Sequence, residues 1–182
     1  MYTCAEGILA INKAFLSVPF ADMLFAMDTD FYSWLVDGKL GAAAQSAFAK
    51  FEGLKVWVDN SNFHFKHKEI LFVKRSRIPE LTKNLEKGIF VGNNSGVGAL
   101  MLAAALGCNP IYLLGYDMNH RGKQSHFHSG YPRIQREGTV KSFIKHFGKV
   151  SGQLKANGFK VVNLNKRSGL RAFPFGDIDD IC

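Results

Sequence analysis

Residues 89–119 read IFVGNNSGVGALMLAAALGCNPIYLLGYDMN, and the order of residue types along this stretch decides the fold. Ile89, Phe90 and Val91 make a short apolar run that halts at Gly92, Asn93, Asn94, Ser95 and Gly96, all turn formers. Residues 96–106, GVGALMLAAAL, are mostly good helix formers. Ser95 can cap such a helix, and Gly107 can stop it in a left-handed conformation. A helix that is apolar on every face must be buried against a sheet. Residues 111–114, IYLL, follow Pro110 and end at Gly115, which completes a strand–helix–strand unit with a right-handed crossover.

Working outward, the same grammar repeats. Residues 7–14 (GILAINKA) read as a strand ending near Asn12, and residues 22–27 (DMLFAM) as another, closed by Asp28, Thr29 and Asp30. Residues 54–58 (LKVWV) run into Asp59-Asn60-Ser61-Asn62, residues 70–73 form a weaker strand, and residues 159–164 form the last. Residues 31–51 read as two helical pieces around Gly38 and Gly41. A long helix over 137–157 sets Val140, Phe143, Ile144, Phe147, Val150 and Leu154 at helical spacing before Gly158. Strand runs this uniformly apolar belong to parallel strands covered on both faces. The expectation is one α/β domain over residues 1–182, a Rossmann-like three-layer sandwich with a mostly parallel sheet.

Composition narrows the class. The chain has 182 residues, 47% hydrophobic and 21% charged, which is ordinary for a globular domain. Cys4, Cys108 and Cys182 are odd in number and far apart, which fits reduced thiols in the cytoplasm better than a disulfide framework. The opening residues lack a signal peptide's basic start and apolar core, and no apolar run is long enough to span a bilayer. The formal net charge of +8 is spread along the chain with no arginine-rich arm. It reads as a solvated basic surface or as a field for an anionic small molecule, and a nucleic-acid partner is not expected.

Ligands of parallel α/β sheets sit outside the carboxyl ends of the strands. That rule gathers Asn12, Asp28, Asp30, Asn93, Asn94, Ser95 and Asp117 as rim candidates. In the 92–96 loop, Gly92 and Gly96 allow close backbone approach, and the amides opening the helix form an anion site. Asn93 and Asn94 add groups that can read a base, ribose or phosphate. No complete phosphate-loop or dinucleotide motif is present. Asp28, Asp30 and Asp117 are carboxylates suited to Mg²⁺, to a ribose or to acid–base work, and equally to capping and turns. His120, His126 and His128 lie close together in NHRGKQSHFHSGYP. Without further ligands at metal spacing they fit acid–base or phosphate contact better than zinc. Tyr131 and Arg133 nearby could hold an anionic leaving group. His64 and His67 read as residues of an exposed strand or loop.

The block NNSGVGALMLAAALGCNPIYLLGYDMN (93–119) resembles the core of bacterial sialyltransferases of glycosyltransferase family 42. It is equally similar to the domain related to archaeal 6-hydroxymethyl-7,8-dihydropterin pyrophosphokinase, found also in uncharacterised bacterial and phage proteins. ILAINKAF, ADMLFAMDTDFY, SHFHSG and VVNLNKRSGLRAFPF agree with it. The first resemblance implies a CMP-sugar donor and no metal, with His128 as base on the acceptor hydroxyl and His126 as its rival. Tyr131 would be a loose counterpart of the phosphate-holding tyrosines, and Asn12, Asn93, Asn94 and Ser95 would line the nucleotide. The second implies ATP and Mg²⁺ beside Asp28, Asp30 and Asp117. In these relatives a first strand and glycine loop precede the point where this chain opens, so the resemblance implies a sheet lacking both. That departure leaves a non-catalytic nucleotide-binding or accessory role open, and a homo-oligomer is compatible with every reading.

Overall fold

The computed structural model describes residues 7–59, 68–119 and 138–181. The chain forms two compact units, Met1–Arg75 and Ser76–Cys182. Both are α/β with parallel strands, as the alternation of apolar runs and helices requires, and the fold is Rossmann-like.

The first unit orders its strands as they occur in the chain: β1 (Leu9–Ile11), β2 (Met23–Ala26), β3 (Leu54–Asp59) and β4 (Ile70–Ser76). All pairings are parallel, with Ile11 opposite Phe25, Ala26 opposite Trp57 and Val58 opposite Val73. Helices α1 (Thr29–Val36) and α2 (Ala42–Lys50) connect β2 to β3, the two pieces expected around Gly38 and Gly41. Residues 55–58 of β3 are all buried, so the strand reads as a continuous run and not as an alternation.

An aromatic cluster holds this unit together. Trp57 of β3 has no exposed surface. It stacks on Phe31 of α1 at 6.0 Å and meets Tyr32 and Phe48 edge-on at 5.9 and 6.0 Å. Such offset and edge contacts add to the burial of area itself. Trp57 Nε1 donates to the Asp28 carbonyl at 3.3 Å, so its polar atom is satisfied in the core. Lys55, on the same strand, is buried as well. Its Nζ donates to the Phe51 carbonyl at 2.9 Å, lies 3.4 Å from Glu69 Oε2 and 5.5 Å from the centre of the Phe48 ring.

The first strand ends where expected, near Asn12, and one other strand reading needs correction. At Asn12, φ is +50°, and residues Asn12–Leu16 wind into a short 3₁₀ turn that buries Phe15 against Phe48 and Phe51. The fourth strand, β4, extends past its apolar stretch through Lys74, Arg75 and Ser76, with Lys74 opposite Asp59 of β3.

In the second unit β5 (Ile89–Phe90) leads into α3 (Ser95–Ala105), and β6 (Ile111–Leu113) pairs in parallel with β7 (Val161–Asn163). Helix α4 (Thr139–Ala156) joins them. Most of α3 is buried, as its uniform apolarity demands. Phe147, Val150 and Leu154 of α4 pack with Val97, Leu100, Met101, Ala104, Ile111 and Leu113 into one core. Of the face expected for α4, Phe143 and Ile144 are only half-buried.

Candidate functional site

The carboxyl ends of β5, β6 and β7 meet on one edge of the second unit, and the joining contacts are specific. Tyr116, three residues beyond β6, reaches across the start of α3, where its hydroxyl donates to the Gly96 carbonyl at 3.2 Å. A Cβ placed on Gly96 would stand 2.9 Å from both Tyr116 Cε1 and Asn94 Oδ1, so a larger residue has no room there. Burial pushes the Tyr116 phenol above its ordinary pKa, and it stays a neutral hydrogen-bonding group. The turn expected at residues 92–96 therefore sits directly against the segment carrying Asp117.

Asp117 is fixed from behind. Its Oδ1 accepts from Asn165 Nδ2, and its carbonyl accepts from the Gly169 amide at 2.7 Å. Asn165 belongs to the loop after β7. Its amide donates to Asn163 Oδ1 at 3.1 Å, and its own Oδ1 accepts from the Arg167 amide at 3.0 Å. Asn163 is fully buried and donates through Nδ2 to the Leu170 carbonyl at 3.1 Å. Ser168 closes the network, donating to the Tyr116 carbonyl and accepting from the Leu170 amide at 2.9 Å. A network satisfied member by member holds side chains in one geometry.

At the β5–α3 turn the cap differs from expectation. Asn94, not Ser95, is the N-cap: with extended φ and ψ of −143° and 118°, it accepts through Oδ1 from the amides of Gly96 at 2.7 Å and Val97 at 3.1 Å. The asparagine carbonyl reaches the first-turn donors at a capping position that its extended backbone permits. Two of the amides expected to face an anion are thereby occupied by the protein's own side chain. Asn93 is exposed, with φ +55°. Ser95 is half-buried.

His146 is a member of this edge that the sequence did not single out. It lies on α4 beneath Gly92, its ring 6.0 Å from that of Phe90, and its Nδ1 is buried without a hydrogen-bond partner among the described residues. Burial first, then the charges of Lys149 and Lys145, hold its pKa below the ordinary imidazole value. The available signal was its place beside Phe147 on an otherwise apolar helical face.

Other expected residues fall elsewhere. Asn12, Asp28 and Asp30 lie at the carboxyl ends of β1 and β2 in the first unit, Asp28 at the N-cap position of α1 and Asp30 in its first turn. Asn12 Oδ1 is buried without a partner among the described residues. His126, His128, Tyr131 and Arg133 lie outside the described residues, as do His64, His67 and His120. Among the described residues no group of three or more His, Cys, Asp or Glu could hold a metal ion, and no helix is long and apolar enough to cross a membrane.

No family model, no curated protein and no solved structure matches this chain.

Proposed function

We propose that the chain is a transferase acting on a nucleotide-activated donor, most like a CMP-sugar, which it takes at the carboxyl-end edge of the second unit. The contact between Tyr116 and Gly96 supports this reading most directly, because it sets exposed Asn93 and the braced Asp117 on one rim. That is the position at which parallel α/β sheets receive ligands. With Gly96 and Val97 already capped, the nucleotide would be met chiefly by side chains: Asn93 for base or phosphate, Asp117 for sugar hydroxyls. Following the resemblance, His128 takes the acceptor's proton as the acceptor oxygen bonds to the anomeric carbon. The bond from that carbon to the phosphate breaks, and the nucleoside monophosphate leaves with the electron pair.

Thermal unfolding in the presence of CMP, CDP, UDP, ATP and their sugars tests the reading. A ligand at ~100 times its dissociation constant adds about 2.7 kcal/mol of stability, so CMP should raise Tm, equally with and without EDTA. Stabilisation by ATP only with Mg²⁺ would move the assignment to a pyrophosphokinase. CMP binding without donor turnover would make the chain an accessory binder. If no nucleotide shifts Tm, the proposal fails. Within it, His128→Ala abolishes transfer and leaves CMP binding intact.

A further inference from the structure

The 18 residues of α4, TVKSFIKHFGKVSGQLKA, contain four lysines and no acidic residue. Lys141, Lys145 and Lys149 recur every fourth residue and so stand one above another on a helix, and Lys155 falls on the same outer side. All four are exposed, and none makes an ion pair with another described residue. Like charges at this spacing oppose helix formation. Their field is felt locally, since Lys149 and Lys145 both help to depress the His146 pKa. Between the lysines the surface is flat: Gly148 and Gly152 are exposed, with nothing within 4 Å of a Cβ built on either. Internal packing therefore does not call for glycine at either position.

We propose that this lysine ridge on α4 binds the phosphodiester backbone of a nucleic acid without regard to sequence. The ridge extends about 21 Å at 1.5 Å per residue, long enough to meet several successive phosphates. A lipid surface fits less well, because a membrane-binding helix needs an apolar face to insert. Here Phe147, Val150 and Leu154 are committed to the unit's own core. An acidic protein partner fits less well too, since protein interfaces centre on aromatic or aliphatic anchors. The outer side of α4 offers lysine, glycine and serine, with half-buried Ile144 at its margin. The inference is independent of the transferase reading.

The test is fluorescence anisotropy of a labelled mixed-sequence DNA duplex and of a single-stranded RNA, titrated with the full chain at several salt concentrations. With four lysines engaged, duplex affinity should fall roughly 100-fold between 50 and 200 mM salt. The variant Lys141→Gln/Lys145→Gln/Lys149→Gln should lose most of the affinity and reduce the salt slope by about 3. Arginine at the same three positions should keep both. Lys39→Gln/Lys50→Gln/Lys68→Gln, which removes equal charge elsewhere, should change little. Absence of binding to either nucleic acid at low salt overturns the proposal. So does an unchanged slope in the ridge variant, or binding confined to phosphatidylserine–phosphatidylcholine vesicles.

Discussion

A Cβ atom placed on Gly92 would lie 2.7 Å from both Cβ and Cγ of His146. Two elements more than fifty positions apart in the chain thus touch through a missing side chain. Gly92 also has φ +51°, a region L-residues seldom adopt. Gly92→Ala should therefore destabilise the protein by about 1–3 kcal/mol, combining backbone strain with overpacking. In urea unfolding, Gly92→Ala/His146→Ala should recover only a fraction of the overpacking part, because the Cβ of residue 146 remains. A single variant as stable as the parent would refute the contact.

His146 also predicts a pH dependence. Its folded pKa lies below the ordinary 6.5, through burial and then Lys149 and Lys145. The unfolded chain therefore binds this proton more readily than the native state. The native state is unpenalised above that ordinary value and loses stability as pH falls through it towards the folded value. His146→Gln should flatten the slope of stability against pH in that window. An identical slope in the variant would assign the dependence to other groups.

Asn94 caps α3 through one oxygen shared by two amides. Asn94→Ala should cost about 1 kcal/mol. Asn94→Asp keeps the acceptor and adds a negative charge at the positive end of the helix, so its midpoint in urea should equal or exceed the parent's. If Ala and Asp behave alike, the side chain is not the cap.

Trp57 is the centre of the first unit's aromatic cluster. Trp57→Ala should cost roughly 3–5 kcal/mol by emptying a site that its neighbours cannot refill, and near-ultraviolet circular dichroism should lose its aromatic signal. Trp57→Phe should retain much of that stability. Parity of the Ala variant with the parent would show that β3 is not packed between α1 and its neighbours as described.

At the candidate site, Asn165→Ala should release Asp117 without removing it. On the transferase reading, CMP affinity should fall while Asp117→Ala lowers it further. The two losses should not add, because both act through one carboxylate. Full additivity, measured by calorimetry, would separate Asn165 from the ligand.

Much of the fold was legible in residues 89–119. A turn block, an all-apolar helix and a second apolar run permit little other than a strand–helix–strand unit, and β5, α3 and β6 follow that order. Element ends were less legible. The strand end near Asn12 was legible, but the 3₁₀ turn that buries Phe15 there was not, because Phe48 and Phe51 meet it from far along the chain. Asn94 and Ser95 are both good caps, and only backbone geometry selects between them. Asp117 was found because it follows a strand. Asn165, which braces it, and His146, which packs beneath Gly92, come from a loop and a helix distant in sequence.

By itself the sequence determined the α/β class, the parallel character of the strands and the burial of α3, because periodicity and apolarity act locally and independently of partners. Tertiary structure decided which strand ends share an edge, that Asn165 braces Asp117, and that His146 packs beneath Gly92. Those outcomes depend on distances between residues far apart in the chain, which only the packed core sets.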